Sequence, residues 1–195
     1  MAAKVIKRKG YGQVEPNHLS GIVTGQIYAQ LPADTTRTVA ANGTVTWTGI
    51  TQLEQGQFAK YDYAAGKVDF TGNGEFMLVY NEEKLYDERK QSHKDFVYKA
   101  EDFTDGKMFP RLIKTNIGDI FTTNMIGAAN TTGSEAEVTI GTDATLVVGS
   151  YVAPNASTGI LTISANKPAS GMAWKIVKVY TMPDGQPGVK LQRIS

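Results

Sequence analysis

Glycine-bearing turns interrupt this chain at short intervals, and the runs between them are rich in β-branched and aromatic residues. Asn42-Gly43 lies between Thr38-Val39-Ala40 and Thr44-Val45-Thr46-Trp47. Both residues of an Asn-Gly pair accept positive φ, so this pattern predicts a β-hairpin. Phe58 to Tyr63 reads as a strand, Ala64-Ala65-Gly66 as a turn, and Lys67 to Phe70 as the return strand. After a second turn at Thr71-Gly72-Asn73-Gly74 comes Phe76-Met77-Leu78-Val79-Tyr80, a continuous apolar run expected to be buried on both faces. Pro183-Asp184-Gly185-Gln186-Pro187-Gly188 closes a C-terminal hairpin between Val179-Tyr180 and Val189–Leu191. The chain has 20 glycines in 195 residues and frequent threonine. The expected fold class is therefore all-β, with compact barrel or sandwich modules.

Composition along the chain divides it further. Residues 1–20 read as an extended arm made basic by Lys4, Lys7, Arg8 and Lys9. Residues 21–126 read as a β-rich domain with a long charged loop at 82–107. Within residues 81–115 eight acidic side chains balance eight basic ones, Arg89, Lys90 and Lys94 among them. Such an excursion from a β unit is expected to serve in contacts. Residues 127–136 are small and polar and read as a linker. Residues 137–195 read as a small C-terminal β module, with β-like runs at 137–140, 146–148, 149–153, 160–163 and 172–180. In the last of these, Trp174 and Ile176 are expected on one face and Val177 and Val179 on the other.

Two segments echo one another. Gly56 and Gly66 are ten residues apart, as are Gly149 and Gly159. Each first glycine precedes an aromatic by two positions, Phe58 and Tyr151, and each second glycine opens an alternating run. Val79-Tyr80 and Val179-Tyr180 end the two stretches. The pattern predicts two similar hairpin units.

The residues that carry catalytic chemistry are scarce. Cys is absent, and the two histidines, His18 and His93, lack a partner at metal-ligand spacing. No Gly-x-Ser-x-Gly elbow, P-loop or dinucleotide fingerprint occurs. The adjacent carboxylates Glu82-Glu83 and Asp87-Glu88 lie inside the balanced charge run and read as a solvated face, and Asp102 and Asp105 as turn caps before Gly106. No enzymatic activity, cofactor or metal site is expected. The formal net charge of +1 lacks the footprint of a nucleic-acid binder. No apolar run approaches the roughly 20 residues of a membrane helix, and no secretory signal opens the chain. Trp47 and Trp174, with Tyr61, Tyr63 and Tyr151, form either hairpin core or a glycan-stacking platform. Exposure of a tryptophan beside another aromatic in a groove would favour the platform.

Four stretches carry a resemblance: Gly25-Gln26-Ile27-Tyr28-Ala29-Gln30-Leu31-Pro32, Gly56-Gln57-Phe58-Ala59-Lys60-Tyr61-Asp62, Lys114-Thr115-Asn116-Ile117-Gly118-Asp119, and Val179 to Gly188. In these the chain resembles capsid-associated structural proteins of tailed phages of Gram-positive bacteria. The resemblance implies a virion location, with synthesis in the bacterial cytoplasm. Its expected partners are the major capsid protein and neighbouring copies of the chain. It carries over no catalytic or binding residue. The C-terminal stretch is also similar in style to small capsid decoration domains. The expected role is a decoration or cement protein that binds and stabilises the shell. A surface glycan-binding module and a head–tail or tail structural protein stand as alternatives. Interface residues expected from charge are Lys4, Lys7, Arg8 and Lys9 on the arm and Arg89, Lys90 and Lys94 on the loop.

Overall fold

A computed structural model describes residue 6 and residues 10–81, 96–127, 146–164 and 166–195. In chain order the elements are β1 (Val14–His18), α1 (Ser20–Val23), β2 (Ile27–Tyr28), β3 (Thr35–Val39), β4 (Val45–Gly49), β5 (Gln52–Glu54), β6 (Phe58–Asp62), β7 (Lys67–Asp69) and β8 (Phe76–Val79). They continue with β9 (Val97–Lys99), a 3₁₀ turn (Ala100–Asp102), β10 (Leu112–Ile113), β11 (Ile120–Thr123) and β12 (Ile126–Gly127). The last four are β13 (Tyr151–Pro154), β14 (Leu161–Ser164), β15 (Trp174–Thr181) and β16 (Pro187–Arg193). The fold is all-β, as the turn chemistry predicts.

Two large sheets dominate. One has five strands in the order β2-β10-β8-β6-β7, and the other has seven in the order β1-β11-β16-β15-β13-β14-β12. Apart from β1 and β12, the second sheet repeats the first, strand for strand. Tyr28↔Leu112 corresponds to Phe121↔Leu191, and Leu112↔Val79 to Leu191↔Ile176. Ala59↔Met77 corresponds to Val152↔Trp174, and Tyr61↔Val68 to Pro154↔Leu161. Even the parallel contact recurs, as a bridge Ala33↔Val68 and as the ladder Ile126↔Leu161.

The turns match as well. Asp62 Oδ1 accepts the N–H groups of Ala64 and Ala65 at 2.9 and 3.0 Å, and Asn155 Oδ1 accepts those of Ser157 and Thr158 at 2.8 and 3.2 Å. Gly66 and Gly159 then take φ of 66° and 67°, a left-handed conformation that costs a side-chain-bearing residue about 1–2 kcal/mol. The chain is a tandem pair of one β unit. The paired glycines at 56/66 and 149/159 mark its most legible part. Val79 matches Ile176, however, and not Val179.

The units stack as layers. In the second unit Phe121, Val152, Leu161, Trp174, Ile176 and Leu191 form the core face, and their first-unit counterparts Tyr28, Ala59, Val68, Met77, Val79 and Leu112 form another. The first unit's opposite face, through Phe58 and Leu78, packs into the second unit's core. Phe58 lies 6.2 Å from Phe121 and 5.8 Å from Trp174, ring to ring. The apolar run of β8 is thus buried on both sides, as expected. Over the first unit's own core face lies a layer from β3 to β5, β9, the 3₁₀ turn and the residues around them, contributing Ile50, Leu53, Ala100 and Met108. On the second unit the positions matching Phe58 and Leu78 are Tyr151 and the exposed Lys175, so the stack ends there.

Several expectations change. Residues 137–195 do not form a sheet of their own: β16 pairs with β11, which pairs with β1. Part of the arm is intramolecular structure, because residues 14–18 are β1 and Ile6 is buried, its N–H donating to the Ile126 carbonyl at 2.9 Å. Leu146 to Val148 is a bend and turn, with Leu146 buried and Val148 exposed. Val177 and Val179 do not share a face. The register shifts between Ile176 and Lys178, so the extra residue is Val177, and Val179 joins Trp174 and Ile176 against the core.

Candidate functional site

The basic residues expected at an interface, Lys4, Lys7, Arg8, Lys9, Arg89, Lys90 and Lys94, lie outside the described residues, as do His93 and the carboxylates at 82–83 and 87–88. His18 is exposed on β1. Asp105 acts as expected of a turn cap: its carboxylate accepts the Lys107 N–H at 3.1 Å and sits 3.4 Å from the Lys107 ammonium. The backbone N–H of Lys107, ahead of its charge, holds the Asp105 carboxyl below the usual range. No group of three or more His, Asp or Glu among the described residues is placed to hold a metal ion. No helix among them is long and apolar enough to cross a membrane.

The aromatics separate into different roles. Trp174 is fully buried, its ring edge-on to Phe121 at 4.8 Å. Tyr61 is buried between Tyr28 and Tyr63, at 5.3 and 5.0 Å. The five residues considered for a platform therefore do not form one surface. Trp47 is different. It is half-buried on β4, directly opposite Arg37 of β3, whose guanidinium lies 5.7 Å from the ring centre.

Its setting follows from the hairpin. The register set by the Asn42-Gly43 turn pairs Val39 with Val45 and Arg37 with Trp47. Arg37, Val39, Val45 and Trp47 thus share one face, and Thr36, Thr38, Thr46 and Thr48 the other. At the base, the Thr35 hydroxyl donates to the Ile50 carbonyl. Beneath Trp47 the chain passes at Gly106, where a Cβ would run into the indole. The outer side is an open groove of about 390 Å³ lined by Arg37, Val45, Trp47, Glu101, Phe103 and Thr104. Val39 and Val45 remain 49% and 39% exposed, a large share for paired valines in a strand. The groove offers an indole and a phenyl ring, flanked by one cation and one carboxylate. That chemistry suits docking and stacking.

Of this groove, sequence reasoning singled out Trp47 alone. Arg37 was legible, since the predicted hairpin register puts it across from Trp47. Glu101, Phe103 and Thr104 were not, because they arrive from a loop more than fifty positions away. No family model matches the chain, and neither a curated protein nor a solved structure matches it.

Proposed function

We propose that this chain is a non-enzymatic structural protein of a tailed-phage virion, made in the bacterial cytoplasm and docked on the capsid shell as a decoration or cement protein. The observation that carries the reading is the β3–β4 hairpin. It is a two-stranded sheet, mostly exposed on both faces, anchored on the first unit's core by Trp47. An isolated two-stranded ribbon is marginal in water and gains order by packing on a neighbour. Its apolar face and the Trp47–Phe103 groove supply that contact. Bridging adjacent capsid subunits buries further interface, and preferential binding to the assembled lattice stabilises it by mass action.

The test is location. Antibody-labelled particles are expected to carry the label over the head. Label on the tail would move the chain to a head–tail or tail role, and particles without it would overturn the virion reading. The groove also favours a second reading, glycan binding at the virion surface, because Trp47 and Phe103 flank one open cleft. Trp47→Ala separates the two. Loss of glycan binding on an array with particle occupancy unchanged supports the second reading. Loss of occupancy without any glycan signal supports the first.

A further inference from the structure

Of the two large sheets' terminal positions, three are guarded. β7 is covered by residues 32–34: the Val68 N–H donates to the Pro32 carbonyl and the Asp34 N–H to the Val68 carbonyl, both at 2.8 Å. The Ile126 carbonyl of β12 receives the Ile6 N–H. β1 carries Pro16 and a register break between Pro16 and His18, two devices that blunt an exposed edge. β2 carries neither, and Ile27-Tyr28-Ala29-Gln30 bears no charge.

The edge of β2 is also the place where the two units differ. Lys114 N–H donates to the Gln26 carbonyl at 3.1 Å and Tyr28 stands opposite Leu112, so alternate positions face β10. The N–H and C=O groups of Ile27 and Ala29 point the other way and find no backbone partner among the described residues. In the second unit the matching positions, Ile120 and Thr122, pair antiparallel with His18 and Glu15 of β1. Among the described residues, the same slot of the first unit holds no strand.

We propose that this slot is filled by the β2 edge of a second copy, added antiparallel about a two-fold axis at Tyr28. Ile27 of each copy then lies opposite Ala29 of the other, which forms a self-complementary ladder and joins the two five-stranded sheets. Both ends of the edge carry exposed apolar surface. Val23, 83% exposed, stands before it. Tyr63, 70% exposed, stands at the far end, its ring on Tyr61, whose hydroxyl accepts the Gln30 N–H at 3.1 Å. Antiparallel addition runs the Val23 end of one copy alongside the Tyr63 end of the other. An uncharged edge brings no like charges together across the axis. This inference does not depend on where the protein resides.

Sedimentation equilibrium of the full chain tests it, with hydrogen exchange of the Ile27 and Ala29 amides followed against protein concentration. A dimer is expected, with exchange at both amides slowing as it forms. Ala29→Lys, at an exposed position, is expected to give monomer with an unchanged circular dichroism spectrum, and Tyr63→Glu a weakened dimer. The proposal is overturned if the wild-type chain is monomeric throughout. It is overturned equally if the dimer survives Ala29→Lys, or if the two amides become protected only when phage particles are added. Should Ala29→Lys fail to fold, the wild-type exchange data and Tyr63→Glu decide the matter.

Discussion

Gly66 and Gly159 share a backbone conformation and differ in surroundings, which makes them a natural pair of probes. At Gly66 a Cβ meets open space, whereas at Gly159 it overlaps the Phe58 carbonyl and comes within 2.7 Å of the Phe70 ring. The Phe58 N–H donates to the Gly159 carbonyl at 2.7 Å, and Gln57 Nε2 to the Thr158 carbonyl at 2.8 Å, so this turn is where the second unit grips the first. Gly66→Ala is expected to cost the dihedral penalty alone, about 1–2 kcal/mol. Gly159→Ala should cost more, and urea titration of the two variants measures the difference, which belongs to the contact between units. Asp62 permits a second prediction. N–H donation from Ala65 first, then from Asn73, with smaller help from Ala64 and Lys67, lowers its carboxyl below the usual range against an opposing cost of burial. A carboxyl depressed by folding contributes stability that is complete above its unfolded value of about 3.9 and is lost as pH falls through the folded value. Asp62→Asn is therefore expected to flatten the acid limb of the stability curve. Identical acid limbs for the two proteins would dismiss Asp62 as its source.

At the scale of elements, the legible parts were those whose instructions are local. Asn42-Gly43 specified β3–β4, and the Asx turns at Asp62 and Asn155, each closed by a glycine, specified the two repeated hairpins. The same repeat was present in Gly25-Gln26-Ile27-Tyr28 and Gly118-Asp119-Ile120-Phe121, which begin β2 and β11. A fixed period hides it. Corresponding residues are 93 positions apart in β2, β6 and β7, 97 apart in β8 and 79 apart in β10, because the segments on either side of β8 differ in length between the units. Nor does the small-residue stretch after β12 reveal that strands on either side of it share one sheet, since the β11–β16 pairing spans some seventy residues. The candidate groove was half legible for the same reason: Arg37 and Trp47 follow from one turn, whereas Phe103 arrives by long-range packing. The hairpin itself contributes little to the core. Trp47 is its packed residue, and both faces beyond it are largely exposed. Shortening the hairpin by its outer pairs, Thr38–Thr46 and Val39–Val45, is thus expected to leave the melting temperature almost unchanged and, under the proposed capsid-docking role, to abolish attachment to particles. A large fall in melting temperature would instead make the hairpin part of the core.

At the scale of the whole molecule, the layered stack makes the two units unequal. The first unit is buried on both sheet faces, by the layer of β3 to β5, β9 and the 3₁₀ turn on one and by the second unit on the other. The second unit completes its core only with Phe58 and Leu78 from the first, and extends its sheet with β1 from the start of the chain. Arg193 adds a tie at the seam. It is buried, its Nη2 sits 2.6 Å from Glu75 Oε1, and its Nη1 donates to both the hydroxyl and the carbonyl oxygen of Thr115. Unfolding is therefore expected to be one cooperative transition. Truncating Phe58, which packs between the units, should lower the stability of everything at once: Phe58→Ala opens a cavity there, a change of about 3–5 kcal/mol for a buried phenyl ring. The sharper test is to excise the second unit. A fragment spanning residues 116–195 retains β11 to β16, yet lacks β1 and leaves the Trp174 face without its cover. Exposed apolar surface of that kind leads to loose packing or aggregation. The fragment should therefore fail to give a cooperative melt or dispersed amide resonances, and adding residues 1–115 in trans should restore both. A fragment that folds sharply alone would mean that the tandem units are independent domains and that the seam merely joins them.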